Sequence, residues 1–216
     1  MEIPPRDIVA KPAVEISVAV VLLAAGRASR MGEGGPHKLL AEFDGVALVR
    51  RSALSAMASG AASVVAVTGH RRGDIERALG NLALEQVYNP DYAAGMAGSL
   101  AAGVGTPAAQ RADGVLVMLA DMPGITADDL KTLISAFREA GGLAIIRAVS
   151  GGKRGNPVIL PHSMLRAVMQ LEGDVGARHI IETSRLPVID VDIGEAAHLD
   201  VDTPEAVVAA GGVLKG

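Results

Sequence analysis

Between residues 26 and 38 the chain reads GRASRMGEGGPHK, with Arg27, Arg30 and Lys38 set among glycines directly after an apolar run. Glycine lets backbone amides approach an anion closely, and Arg and Lys supply charge, so Gly26, Gly32, Arg30 and Lys38 point to a phosphate cradle. Two negative charges about 4 Å apart repel by about 4 kcal/mol at an effective dielectric of 20, so a triphosphate needs several such cations. The spacing is neither G-x-G-x-x-G nor a loop ending in G-K-S/T, which removes the Rossmann and Walker patterns. An acidic partner stands at Asp121, directly after the apolar run 114–120. Such a carboxylate suits Mg2+, which prefers one or two carboxylates together with phosphate oxygens and waters. Asp202, in DVDTPE, is the candidate second metal ligand and Asp200 its alternative. A cap for the helix that Pro204 starts well is an equally good use of Asp202 or Thr203.

The composition narrows what else the chain can do. With no cysteine there is no disulfide, thiolate metal site or thiol nucleophile, so the chemistry falls to oxygen and nitrogen groups. The five histidines form no H-x-x-x-H pair, and only His37, beside Lys38, draws attention. Twenty basic against 24 acidic residues give a net charge of -4, which supplies no global field for nucleic acid or an anionic membrane. The apolar stretch 18–25 is far too short to span a bilayer. Acidic Glu2, Asp7 and Glu15 argue against a secretory leader, and a cytoplasmic location is expected.

These residues need elements to position them. Half of the chain is hydrophobic but only four residues are aromatic, which favours a layered α/β protein with an aliphatic core. Residues 1–15, with three prolines, read as a tail or linker, and 16–216 as a single domain. The run 16–24 reads as a strand covered on both faces, and similar runs recur at 62–68, 84–88, 114–120 and 143–149. Helical patterns at 47–59, 73–79, 96–104 and 127–140 alternate with them, which predicts right-handed crossovers and a mostly parallel sheet. Thr126 is the expected N-cap of the last of these helices, with Asp128 and Asp129 at its positive end. Beyond residue 149 the glycines of SGGKRGNPVILP predict a turn into a short strand. Helical pieces at 163–171 and 175–182, a strand at 188–191 and a final helix from Pro204 follow.

The run LAAGRASRMGEGGPHKLL resembles the signature loop of the molybdopterin cytidylyltransferases, within the nucleotidyltransferases that join a nucleoside monophosphate to a phosphorylated acceptor. Further blocks agree in order: NPDYAAGMAGSLAAGV, VLVMLADMP, GKRGNPVIL, GDVGAR and DVDTPE, so that the likeness spans about residues 16–211. The resemblance implies a three-layer fold like that of the nucleotide-diphospho-sugar transferases, a mostly parallel central sheet with helices on both faces. It implies that Leu23, Ala24, Ala25, Gly26, Arg27 and Gly32 wrap the nucleotide, that Lys38, Arg30 and Asp121 are catalytic, and that Gly95 and Ser99 face the base. Close helix packing through small residues is the competing reading of Gly95 and Ser99. On the acceptor side it implies Arg154, Asn156, Asp174 and Arg178, although Arg178 could equally pair with Asp174 at the surface. The guanylyl branch usually carries a second glycine where this chain has Ala25, so LAAG favours cytosine. One departure is Ala120, where glycine is common. The implied reaction is transfer of CMP from CTP to the terminal phosphate of molybdenum-bearing molybdopterin, with Mg2+. The alternatives are GTP or a different phosphorylated acceptor, or a carrier that delivers the cofactor to a recipient molybdoenzyme.

Overall fold

Strand β1, Val18–Ala24, sorts its side chains by parity. Val18, Val20, Leu22 and Ala24 enter one core, and Ala19 and Val21 enter a second core on the opposite face of the sheet. A strand apolar at every position therefore has to sit centrally, covered on both sides. The computed structural model describes residues 15–32, 35–173 and 177–215, so the expected tail falls outside the described residues except for Glu15.

After β1 come the two-stranded ribbon of β2 (Glu42–Phe43) and β3 (Val46–Ala47), helix α1 (Leu48–Met57), β4 (Ser63–Thr68), α2 (Arg72–Leu79) and β5 (Glu85–Tyr88). Next are α3 (Met96–Val104), α4 (Pro107–Gln110), β6 (Gly114–Leu119) and α5 (Ala127–Glu139). The chain ends with β7 (Ile145–Ser150), β8 (Lys153–Pro161), α6 (Leu165–Val168), α7 (Arg178–Thr183), β9 (Val188–Asp192) and α8 (Pro204–Ala209). The main sheet has the order β5-β4-β1-β6-β8-β7-β9. β1 pairs in parallel with β4 and β6, β4 with β5 and β7 with β9, while β8 runs antiparallel to both its neighbours. Leu48, Ile75, Leu79, Leu130, Leu133 and Phe137 pack α1, α2 and α5 onto one face. Leu100, Val104, Ala109, Leu165, Val168 and Ile181 bring α3, α4, α6 and α7 onto the other. The three-layer, mostly parallel α/β architecture read from the sequence is the one observed.

Two strands differ from their sequence reading. The strand expected to be short after SGGK is nine residues long and lies inside the sheet. Gly151 and Gly152 both have positive φ, 55° and 79°, which is the backbone a two-residue hairpin turn requires, so β8 folds straight back beside β7. β5 was expected to be buried like the others but is an edge strand, with Glu85 and Gln86 exposed. The short helices α4 and α6 also differ: α4 begins after the Thr106 cap, and α6 occupies only the middle of the expected 163–171 piece. Thr126 does cap α5, and the Asp129 carboxylate returns the bond to the Thr126 backbone N–H, a reciprocal cap contributing about 1 kcal/mol. Among the described residues, no helix is long and apolar enough to cross a membrane.

Candidate active site

β1 and β6 end side by side, and their continuations build the site. After Ala24 the chain leaves the sheet into the cationic loop, with Ala28 in a left-handed conformation (φ 53°) and the buried Met31 anchoring the loop to the core. Within the loop, His37 does the local positioning. Its Nδ1 accepts the Leu39 amide at 3.3 Å and so caps the tight turn Lys38–Leu40, while Nε2 lies 3.3 Å from the Gly26 carbonyl. A neutral ring that accepts at Nδ1 carries its proton on Nε2, so it donates to Gly26. Burial, followed by the neighbouring charges of His70, Arg71 and Lys38, lowers the His37 pKa to about 4 against the Gly26 bond that raises it, which keeps the ring in that neutral form. His37 thereby ties the two ends of the cationic loop together.

On the other strand, Asp121 lies two residues beyond the end of β6. Its carbonyl accepts the amide of buried Val201 at 3.0 Å, which brings the DVD segment alongside it. Thr203, and not Asp202, caps α8 by accepting the Ala206 amide at 3.2 Å, so the Asp202 carboxylate is free to face the cavity. The three chain segments meet at Lys38. Its Nζ donates to Asp121 Oδ2 at 2.5 Å and to Asp202 Oδ1 at 2.6 Å, and Arg30 bonds the other Asp202 oxygen. The lysine side chain is only 11% exposed. Burial opposes its charge, but the two carboxylates outweigh that cost and raise its pKa above the ordinary value. Burial likewise opposes the charge of Asp202, and Lys38 and Arg30 overcome it to hold that carboxyl below its ordinary value.

Asp121 Oδ1 is buried and has no hydrogen-bond partner among the described residues. An orphaned carboxylate oxygen beside a second carboxylate, opening on a cavity, fits a hard divalent cation. No group of three or more His, Asp or Glu side chains able to hold a metal occurs among the described residues, so such an ion would take its remaining oxygens from substrate and water.

The cavity above this cluster has a volume of about 610 Å³ and is lined by the loop from Ala25 to Arg30, by Lys38, Asp121, Asp200 and Asp202, and by Tyr92, Gly95, Met96 and Ser99. Arg27 stands over the Tyr92 ring, 5.8 Å from its centroid. Ser99 is buried, and its hydroxyl accepts from Nδ2 of the buried Asn89 at 3.0 Å, so Asn89, which no single-residue argument marks in the sequence, holds that hydroxyl. Small-residue packing operates on the same helix at Gly103, where an added Cβ would lie 2.8 Å from Val67 and overlap Val21. A second lobe of about 420 Å³ shares Leu23, Met96, Leu119 and Asp200 with the first and reaches Arg154, Asn156 and Arg178.

Not every expected residue lies in the cleft. Ala24 points down into the core because it has the parity of Leu22, and Gly32 lines a separate hollow behind the loop with His37, His70 and Arg71. Asp174 lies outside the described residues. Arg178 is 3.8 Å from Glu182, and Arg154 is held by Asp190 at 2.9 Å. Arg147, which no motif marks, lines the second lobe as well. A charge inside the apolar run LAIIRAV was the available signal.

The fold is that of the nucleotidyltransferases. The chain belongs to the family of the MobA-like NTP transferase domain, whose model matches residues 20–188. Among curated relatives, nicotine blue oxidoreductase of Paenarthrobacter nicotinovorans is 29% identical over 194 residues, covering 87% of this chain and 93% of that protein. The molybdenum cofactor cytidylyltransferase of Escherichia coli is 25% identical over 195 residues, covering 90% and 95%. Among solved structures, a nucleotidyl transferase from Methanothermobacter superposes with a TM-score of 0.76 at 21% identity, over 90% of this chain and 95% of the other.

Proposed function

We propose that the chain transfers CMP from CTP to the terminal phosphate of molybdenum-bearing molybdopterin, forming molybdopterin cytosine dinucleotide and pyrophosphate. The observation that carries this reading is the Lys38 ammonium lying between the Asp121 and Asp202 carboxylates at the floor of the cleft. Mg2+ held by Asp121 and Asp202 would supply Lewis-acid charge to the phosphate oxygens. In this reading Leu23, Ala25, Gly26 and Arg27 form the nucleotide cradle, and Gly95 and the fixed Ser99 hydroxyl face the base. Arg154, Asn156 and Arg178 bind the acceptor in the second lobe. The acceptor phosphate is already an oxyanion, so no general base is needed. Its oxygen attacks the α-phosphorus, the bond to the β-phosphate breaks, and the electron pair leaves with pyrophosphate. Lys38 and Arg30 stabilise the charge that builds there, and the two lobes hold the reacting groups in line.

The choice of cytosine rests on Ala25. Its side chain is buried against Gly69, where an added Cβ would come within 2.8 Å of Ala25 Cβ, so the LAAG and TGH segments are matched by size. Pyrophosphate release measured with CTP and with GTP, each with and without the metal-loaded pterin, tests the reading. Turnover should require the pterin and favour CTP, and a clear preference for GTP or indifference to the pterin would overturn it.

A further inference from the structure

β7 is apolar and buried at Ile145, Ile146, Ala148 and Val149, yet carries Arg147 in its middle. Strand alternation sets Arg147 on the face of Ile145, whose core includes Ile181 of α7. The register between β7 and β8 shifts between Arg147 and Val149, an irregularity of the kind that re-aims a side chain. Arg147 lines the second lobe together with Arg154 and Arg178, and the same three line a further hollow of about 390 Å³ that continues outward from it. Asp190 engages Arg154 with both oxygens, at 2.9 and 3.2 Å, and Glu182 stands 3.8 Å from Arg178. Arg147 Nε is buried and has no hydrogen-bond partner among the described residues. A buried N–H without a partner is costly, and the planar array of donors of a guanidinium matches an oxyanion.

We propose that Arg147, flanked by Arg154 and Arg178, is the partly buried member of an oxyanion subsite at the far end of the cleft, which selects acceptors bearing a second anionic group besides the phosphate joined to the nucleotide. The assignment of this group to the acceptor rests on the reading of the second lobe given above. Burial, followed by the charges of Arg154 and Arg178, makes the Arg147 guanidinium less basic than usual, with Asp190 and Glu182 opposing, and an arriving anion would relieve that stress.

Calorimetric titration tests the two readings separately. CTP is titrated into the protein first; molybdate, as a tetrahedral dianion probe, is then titrated with and without saturating CTP. The variants are R147Q and R178Q, the second at an exposed position where folding is not at stake. Molybdate should bind with CTP present, and each variant should weaken it by about tenfold or more, the loss of one charge-assisted bond, while leaving CTP affinity within about twofold. Equal molybdate binding in all three proteins, no binding to the wild type, or complete displacement by CTP would overturn the subsite. Failure of the wild type to bind CTP would instead overturn the nucleotide reading, leaving the molybdate result to judge the arginines alone.

Discussion

Replacing Lys38 by Met removes the one cation that contacts both carboxylates while keeping the length of an apolar stem. Each carboxylate places an oxygen within 2.6 Å of Nζ, so those oxygens are at most about 5 Å apart. Two unit charges at that distance and an effective dielectric of 20 repel by about 3 kcal/mol. Arg30 remains on Asp202, but its side chain is 71% exposed and offsets little of this. Lys38→Met should therefore lose about 3 kcal/mol of unfolding free energy at neutral pH. The pH dependence has a definite sign. The Asp202 carboxyl is held below its ordinary value, so its contribution is present above about pH 4 and lost as pH falls through the lowered value. The Lys38 ammonium is held above its ordinary value, so its contribution is complete below about pH 10 and lost as pH rises through the raised value. Wild type and variant should thus converge both in acid and in strong alkali. A divalent ion bound between the carboxylates would replace the missing charge, so Mg2+ should stabilise the variant more than the wild type. Denaturant unfolding at several pH values, with Mg2+ or with chelator, measures all of this. A variant as stable as wild type at neutral pH and indifferent to Mg2+ would refute the reasoning.

Other expectations follow from single contacts. A His37 pKa near 4 means that the unfolded chain binds the extra proton between about pH 6.5 and 4, so stability falls as pH drops through that window. His37→Gln should flatten that slope by on the order of 3 kcal/mol, read from unfolding curves across the window. Ser99→Ala leaves the buried Asn89 amide without its acceptor and should cost about 1 to 2 kcal/mol by denaturant melts, with reduced discrimination between CTP and UTP in the release assay. Gly155→Ala would put a Cβ 2.8 Å from the Ala197 carbonyl carbon and overlapping its oxygen. Backbone must then move, which should cost about 1 to 3 kcal/mol and raise the KM for the acceptor more than that for the nucleotide.

The centre of the sheet was legible because β1, β4 and β6 are apolar at nearly every position, which only a doubly covered strand requires. The length of β8 is hard to read from sequence because the PVILP half is buried throughout, while the polar KRGN half, buried only at Gly155, runs out to the cleft. β5 looked like a core strand by composition, but its exposure depends on where the sheet ends, which no local pattern carries. In the site, Lys38 and Asp121 were legible from residue type and from their place after strand ends, though 83 positions separate them. The choice between Asp202 and Thr203 as the helix cap was open in the sequence and is decided by the Thr203 bond to Ala206. Asn89 and Arg147 escape a sequence reading for one reason: each acts through a neighbour that only the fold supplies, Ser99 across the turn before α3 for one and Arg154 and Arg178, from β8 and α7, for the other.

Asp121→Asn tests the central claim most directly, because it keeps the shape of the side chain and removes the charge that Lys38 contacts and that a divalent ion would use. Pyrophosphate release from CTP with the metal-loaded pterin should fall by at least about a hundredfold, with the variant still folded by circular dichroism and with KM for CTP changed far less than kcat. Near-normal turnover in that variant would contradict the placement of the chemistry between Lys38, Asp121 and Asp202.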